Sequence, residues 1–246
     1  GIAARTLRFS SDVTDASDSD VIWVCHDTPV DDDDRADVNA VCREVGLLFP
    51  HLKNGAVVLA SAQLPVGSVA ALEKSFAAQA GGRTVSFACS PENLRLGKAI
   101  EVFRDPGRIV IGVRDRHARA ILEPLLSKFC GNLIWMSVES AEMVKHALNA
   151  WLAMSVTYAN EIAVLCEQTG AHAAEVEAAL RAEPRVGTRA YIRPGAAFAG
   201  GTLGRDIKFL STLSQNTGAP APPPRAIAAS NNGHRKWALR ALQRLL

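Results

Sequence analysis

The sequence predicts an α/β protein: a mostly parallel, doubly wound sheet over residues 1–136, followed by an all-α half. Three observations carry this. Five short apolar runs, rich in β-branched or aromatic residues, lack polar alternation, as strands covered on both faces do. Amphipathic stretches separate several of them, and strand–helix alternation implies a parallel sheet. After Met136 the strand pattern stops, and residues 139–168 contain neither Gly nor Pro.

The five runs are Val21-Ile-Trp-Val-Cys25, Ala56-Val-Val-Leu-Ala60, Thr84-Val-Ser-Phe-Ala88, Arg108-Ile-Val-Ile-Gly112 and Asn132-Leu-Ile-Trp-Met136. Helical periodicity falls at about 37–50, 67–80 and 115–128. The stretch 139–168 predicts one rod of about 45 Å at 1.5 Å per residue, stopped by Gly170. Along it Met143, Ala147, Trp151, Met154, Tyr158, Ile162 and Leu165 form a heptad-like seam, read either as an internal core helix or as a subunit interface. A Gly/Pro-rich loop at about 182–204 follows, then a helix from about Leu203 to Ser214. Ala219-Pro-Ala-Pro-Pro-Pro224 reads as a stiff, extended linker. From Arg225 a basic amphipathic helix runs to Leu246, either an ordinary solvated face or a surface for a membrane or a calmodulin-like partner.

Composition narrows the classes. The chain has 246 residues, 48% hydrophobic, enough for a packed core, and a net charge of +2 gives no broad field for nucleic acid. No apolar stretch approaches the ~20 residues of a transmembrane helix, so no membrane role is expected. Cys25, Cys42, Cys89, Cys130 and Cys166 are scattered, odd in number and form no CxxC, as in a reduced, cytoplasmic protein without a zinc site. The chain does not begin with Met, as an incomplete reading frame would not.

Chemistry has few footholds. The Gly-rich turn of a dinucleotide-binding unit is absent, as are HExxH, HxxxH and GxSxG patterns, so no metal is expected. Ligand-bearing loops are sought instead after the strands, at His26-Asp-Thr-Pro29, Ser61-Ala-Gln63 and Cys89-Ser-Pro-Glu-Asn93. Lys145 and Asn149 are four apart and share a helix face, either as surface decoration or as a pair stabilising an oxyanion or moving a proton. Glu92 and Asp206 are lone carboxylates, each a cap, an ion-pair partner or a functional acid. The four consecutive Asp at 31–34 lack the spacing of a calcium loop and read as a solvated turn.

Taken together, these segments resemble the UDP-glucose/GDP-mannose dehydrogenase family. The landmarks are Thr28-Pro29-Val30, Leu64-Pro-Val-Gly67, Ser90-Pro-Glu-Asn-Leu-Arg-Leu-Gly97, Pro106-Gly-Arg-Ile-Val-Ile-Gly112 and Ala141-Glu-Met-Val-Lys-His-Ala-Leu-Asn149. Asn160-Glu-Ile-Ala163, Leu165-Cys-Glu167, Arg185-Val-Gly187, Pro194-Gly195 and Gly200-Gly201 before Asp206 complete a colinear series over about 190 residues.

The resemblance implies a partial NAD-binding Rossmann-like domain at 1–136, a central helical domain for dimerisation and substrate at 137–218, and a linker and helix at 219–246. The last would lead to a nucleotide-sugar-binding domain outside this chain. It implies NAD as cofactor, a nucleotide sugar as substrate, and a homodimer paired through the helix 139–168. Family members oxidise the sugar C6 alcohol in two NAD-dependent steps, through a thioester on a Cys, for polysaccharide precursor synthesis.

By position Lys145 and Asn149 match the oxyanion-stabilising Lys and Asn, Asp206 the Asp of water activation, and Glu92 an active-site Glu. Thr28, Pro29 and Gln63 fall on the cofactor side, and Arg185, Gly195, Gly200 and Gly201 in the substrate-contacting loop. The chain departs where the family reads Gly-Gly-Ser-Cys-Phe-Pro-Lys-Asp: here it reads Ala199-Gly-Gly-Thr-Leu-Gly-Arg-Asp206, with Thr202 in place of the Cys. Leu96 replaces a second Glu, and Gln63 a Thr. Cys89 is read as a substitute nucleophile or a buried structural thiol. A two-electron hydroxyacid-type dehydrogenase and a non-catalytic nucleotide-sugar-binding or dimerisation module remain the alternatives.

Overall fold

A computed structural model of the chain describes residues 6–26, 28–29, 31, 36–95 and 97–246. Val30, residues 32–34 and Leu96, which entered the expectations above, lie outside the described residues. The chain divides into two compact units, the first ending at Lys145 and the second running from His146 to Leu246.

In the first unit five strands form one sheet in chain order: β1 (Val21–Val24), β2 (Val57–Ala60), β3 (Ser86–Cys89), β4 (Ile109–Gly112) and β5 (Leu133–Met136). The pairs β1–β2, β2–β3 and β4–β5 are parallel; β3–β4 is antiparallel. Every residue of β2 and β3 is buried, which is why these strands read as unbroken apolar runs. Helices α1 (Val38–Leu48) and α2 (Ser68–Ala77) cover one face, where Val41, Val45, Val69, Leu72 and Phe76 meet Val58, Ala60 and Phe87. On the other face, Ala118, Leu122 and Leu126 of α4 (Arg116–Leu126) meet Val57, Leu59, Ala88 and Ile111. Asp37 and Asp115 cap α1 and α4 by accepting from the N–H of Ala40 and Ala118. A six-residue helix, α3 (Ala99–Arg104), has no buried residue and gave no periodic signal.

The long helix α5 spans Val138–Thr169. Its first turns pack into the sheet unit, where a Cβ on Gly112 would lie 2.7 Å from both Ala141 Cβ and Val138 Cα. Only Gly permits that approach. Arg114 fastens the same end by pairing with Glu73 of α2 and Glu139 of α5.

The second unit is helical: the rest of α5, α6 (Ala173–Ala182), α7 (Arg205–Thr217), α8 (Pro222–His234) and α9 (Trp237–Leu245). Ala153, Ile207 and Ile227 form its core, with Ala150, Phe198, Leu203 and Ala228 around them. Two expectations are corrected. The Pro-rich linker ends at Ala221, because Pro222 begins α8, where a missing N–H costs no helical hydrogen bond. The basic terminal helix is two helices, interrupted at Arg235 and Lys236. The end of the Gly/Pro-rich loop is a single π-helical turn, Gly200–Gly204, feeding directly into α7.

The seam faces outward on this chain. Trp151 is 63% exposed, Tyr158 48% and Leu165 59%, whereas His146, Asn149, Ala153, Thr157 and Asn160 on the opposite side are buried. Among the described residues no helix is long and apolar enough to cross a membrane.

Candidate active site

The expected residues gather into two sets, one in each unit. In the first, the loop after β3 carries Glu92, and α5 carries Lys145. Lys145 is 6% exposed, and its Nζ donates to the Glu92 backbone O at 2.6 Å and to Oε1 at 3.1 Å. Glu92 Oε2 also accepts from the N–H of Leu94, which fixes the carboxylate against its own loop. A cation and a carboxylate thus sit at the carboxyl end of the sheet, the edge at which open α/β folds bind ligands.

Glu142, one turn before Lys145, gave no signal in the sequence. It is buried, and its two oxygens accept from the N–H groups of Gly67 at 2.7 Å and Val69 at 3.0 Å, capping α2. Gly67 has φ +95°, a left-handed conformation that suits Gly. Burial, with Glu142 adding to it, pushes the Cys89 thiol far above the ordinary range. Such a buried thiol suits a structural place better than that of a nucleophile.

A cavity of about 250 Å³ opens beside Cys25, Ser61, Ser90, Glu92 and Asn93, with Trp23, Phe103 and Phe129 forming part of its apolar wall. The residues read as cofactor-side lie at neighbouring strand ends. Thr28 Oγ1 donates to the Gln63 backbone O at 2.7 Å, joining the loops after β1 and β2, and Pro29 follows. This edge offers room for one end of a dinucleotide. It does not offer a pyrophosphate seat at α1 or α2, because Asp37 and Glu142 already take those helix N-termini.

In the second unit, Asp206 stands in the first turn of α7 and is fully buried. Asn149 Nδ2 donates to its Oδ2, and His146 Nδ1 to its Oδ1 at 2.6 Å. The sequence had singled out Asn149 and Asp206; it had not singled out His146. Thr202 lies in the π-helical turn four residues before Asp206, with Gly200 and Gly201 beside it; Thr202 is exposed.

The preceding loop is pinned at two points. Asn160 Oδ1 accepts from Gly195 N–H, whose carbonyl also meets His234 Nε2 at 2.8 Å. Asn231 makes reciprocal bonds to the Phe198 backbone at 2.9 and 3.0 Å. Arg185 stays at the surface, paired with Glu183. Among the described residues no group of three His, Cys, Asp or Glu side chains is placed to hold a metal.

Residues 1–130 match the UDP-glucose/GDP-mannose dehydrogenase family, NAD binding domain, and residues 139–233 its central domain. UDP-glucose 6-dehydrogenase TuaD of Bacillus subtilis is 32% identical over 234 residues, covering 94% of this chain and 50% of its own. GDP-mannose 6-dehydrogenase of Pseudomonas aeruginosa is 31% identical over 223 residues, covering 87% and 51%. A solved UDP-glucose dehydrogenase from Pyrobaculum islandicum has a TM-score of 0.89 at 28% identity, covering 99% of this chain and 58% of that one. The chain spans about half the length of the curated relatives it matches. A Mycobacterium tuberculosis 3-hydroxyisobutyrate dehydrogenase shares the fold, with a TM-score of 0.68 at 15% identity over 94% of this chain and 78% of its own.

Proposed function

Since the chain belongs to the UDP-glucose/GDP-mannose dehydrogenase family, we propose that it serves the NAD-dependent oxidation of a nucleotide sugar at its C6 alcohol, on the way to a polysaccharide precursor. The observation that carries this is the pairing of each family-matched α5 residue with a family-matched carboxylate: Lys145 with Glu92, and Asn149 with Asp206.

NAD supplies the hydride acceptor. The chain's own residues handle oxygen and proton. Lys145 stabilises charge developing on the sugar oxygen, and its Glu92 partner keeps the ammonium in place. Asn149 and Asp206 hold the turn that carries Gly200, Gly201 and Thr202, which with Gly195 and Arg185 of the preceding loop serve substrate. Thr28, Pro29 and Gln63 serve the cofactor.

Thr202 changes the second half of the family's chemistry. A threonine hydroxyl has no thiolate-like fraction near neutral pH, and the thioester route needs one. Oxidation therefore ends at the aldehyde or passes through its hydrate. The expected result with full-length protein and UDP-glucose is either one NADH per sugar, with carbonyl product trapped by hydroxylamine, or two NADH per sugar with no covalent adduct on the protein when the hydrate is oxidised. Two NADH per sugar with a covalent adduct on the protein would refute the loss of nucleophile chemistry. Turnover of small hydroxyacids alone would favour the hydroxyacid-type reading, and nucleotide-sugar binding without NADH formation a binding module.

The exposed seam of α5 supports a homodimer, since an apolar stripe containing Trp151, Met154, Tyr158 and Leu165 is costly in water. A Trp151→Glu variant is expected to elute as a monomer with unchanged helical content. A variant that keeps the mass of the parent would remove α5 as the interface. Five free thiols fit a cytoplasmic location.

A further inference from the structure

We propose that His146 is a positioning residue of this site, fixing through Nδ1 the Asp206 carboxylate that Asn149 holds from its other oxygen. The inference rests on the functional reading above and adds a residue to it. His146 and Asn149 are three apart on α5, so they share a face and reach the same residue of α7. His146 Nδ1 lies 2.6 Å from Oδ1, and Asn149 Nδ2 donates to Oδ2. A donor on each oxygen constrains both the tilt and the rotation of the carboxylate plane. A carboxylate oxygen accepts, so this contact also places a proton on Nδ1.

Nothing fluid can replace these bonds. Asp206 is 0% exposed and His146 1%. In such a site a lost hydrogen bond is not made good by bulk water. Phe209, one turn along α7 from Asp206, meets the imidazole edge-on at 5.3 Å and 83°, restricting the ring. The carboxylate also lies in the first turn of α7, where the helix dipole favours negative charge.

The clamp sits where it can act on chemistry. Thr202 lies four residues before Asp206 in a π-helical turn that continues into α7. Motion of Asp206 therefore moves the turn that carries the position of the family nucleophile. Being buried, His146 acts through Asp206 and not by touching substrate.

The test is NADH formation from UDP-glucose by the full-length protein, with thermal unfolding recorded for every variant. His146→Phe keeps a ring and removes the donor; His146→Asn places an amide nitrogen near the position of Nδ1. Misplacing a reacting group by about 1 Å costs on the order of 10²-fold. His146→Phe is accordingly expected to lower kcat about 30- to 100-fold while KM for UDP-glucose stays within about threefold. His146→Asn is expected to return kcat to within about fivefold of the parent. In an Asp206→Ala background, adding His146→Phe should change kcat by less than about twofold, because the link is already cut.

A folded His146→Phe variant with kcat within about threefold of the parent overturns the proposal, as does a full additional loss on top of Asp206→Ala. If His146→Phe does not fold, His146→Asn decides alone, and a loss of about 100-fold there overturns it. A parent that makes no NADH from UDP-glucose or GDP-mannose defeats the functional reading itself. An active parent with a silent His146→Phe defeats only the role of His146.

Discussion

Lys145→Met is expected to slow NADH formation from the nucleotide sugar by about 10²- to 10³-fold, the cost of removing one preorganised donor from a developing oxyanion. Methionine keeps the length and apolar stem of the side chain, so packing on α5 changes little. What disappears is the ammonium that lies 2.6 Å from the Glu92 carbonyl and 3.1 Å from its carboxylate. Because Lys145 is 6% exposed, solvent does not replace that charge. The loss should fall on kcat with KM nearly constant, since the charge it opposes develops on the way to the transition state. A steady-state comparison with UDP-glucose decides it. Unchanged kcat would reduce the Lys145–Glu92 contact to a structural ion pair and remove Lys145 from the mechanism.

The sheet was largely legible from the sequence because its central strands are covered on both faces, so their burial left continuous apolar runs at Val57–Ala60 and Ser86–Cys89. The helix α5 was legible for a simpler reason, the absence of any breaker before Gly170. Elements without a fully buried face were not visible: α3 has no buried residue, and α6 only half-buries one face, at Ala173, Val176, Glu177 and Leu180. The Pro-rich stretch misled because proline is as acceptable in the first turn of a helix as in an extended linker.

The site divides the same way. Lys145 and Asn149 were recognisable from an i,i+4 step within one helix. The partners of the second set were not, because Asn149 and Asp206 are 57 positions apart and His146 and Asp206 are 60 apart. A buried histidine three residues before a candidate Asn was the one local clue to the clamp. Glu142 left no clue, since its partners are backbone N–H groups, which carry no side-chain identity.

Asp206→Ala is expected to destabilise the folded protein by about 2–6 kcal/mol, the sum for two buried donors each left without an acceptor. Two donors lose their acceptor at once, His146 Nδ1–H and the Asn149 amide, in a place with no solvent access. Each orphaned buried donor costs about 1–3 kcal/mol by itself, which makes the combined figure plausible without any contribution from a cavity. Alanine also removes a negative charge from the N-terminus of α7, a smaller loss of about 0.3–1 kcal/mol. Asp206→Asn retains an acceptor oxygen and should lose much less, so the difference between the two variants isolates the orphaned donors from the change of charge. Urea unfolding of both, with slopes compared, is the measurement. An Asp206→Ala midpoint matching the parent would mean that His146 and Asn149 find other acceptors, and the clamp would then be one of several arrangements open to α5 and α7. A large loss in Ala with a small one in Asn would establish that Asp206 holds the two helices together by its hydrogen bonds. The residue proposed to orient the chemistry would then also be one on which the helical unit depends for its stability.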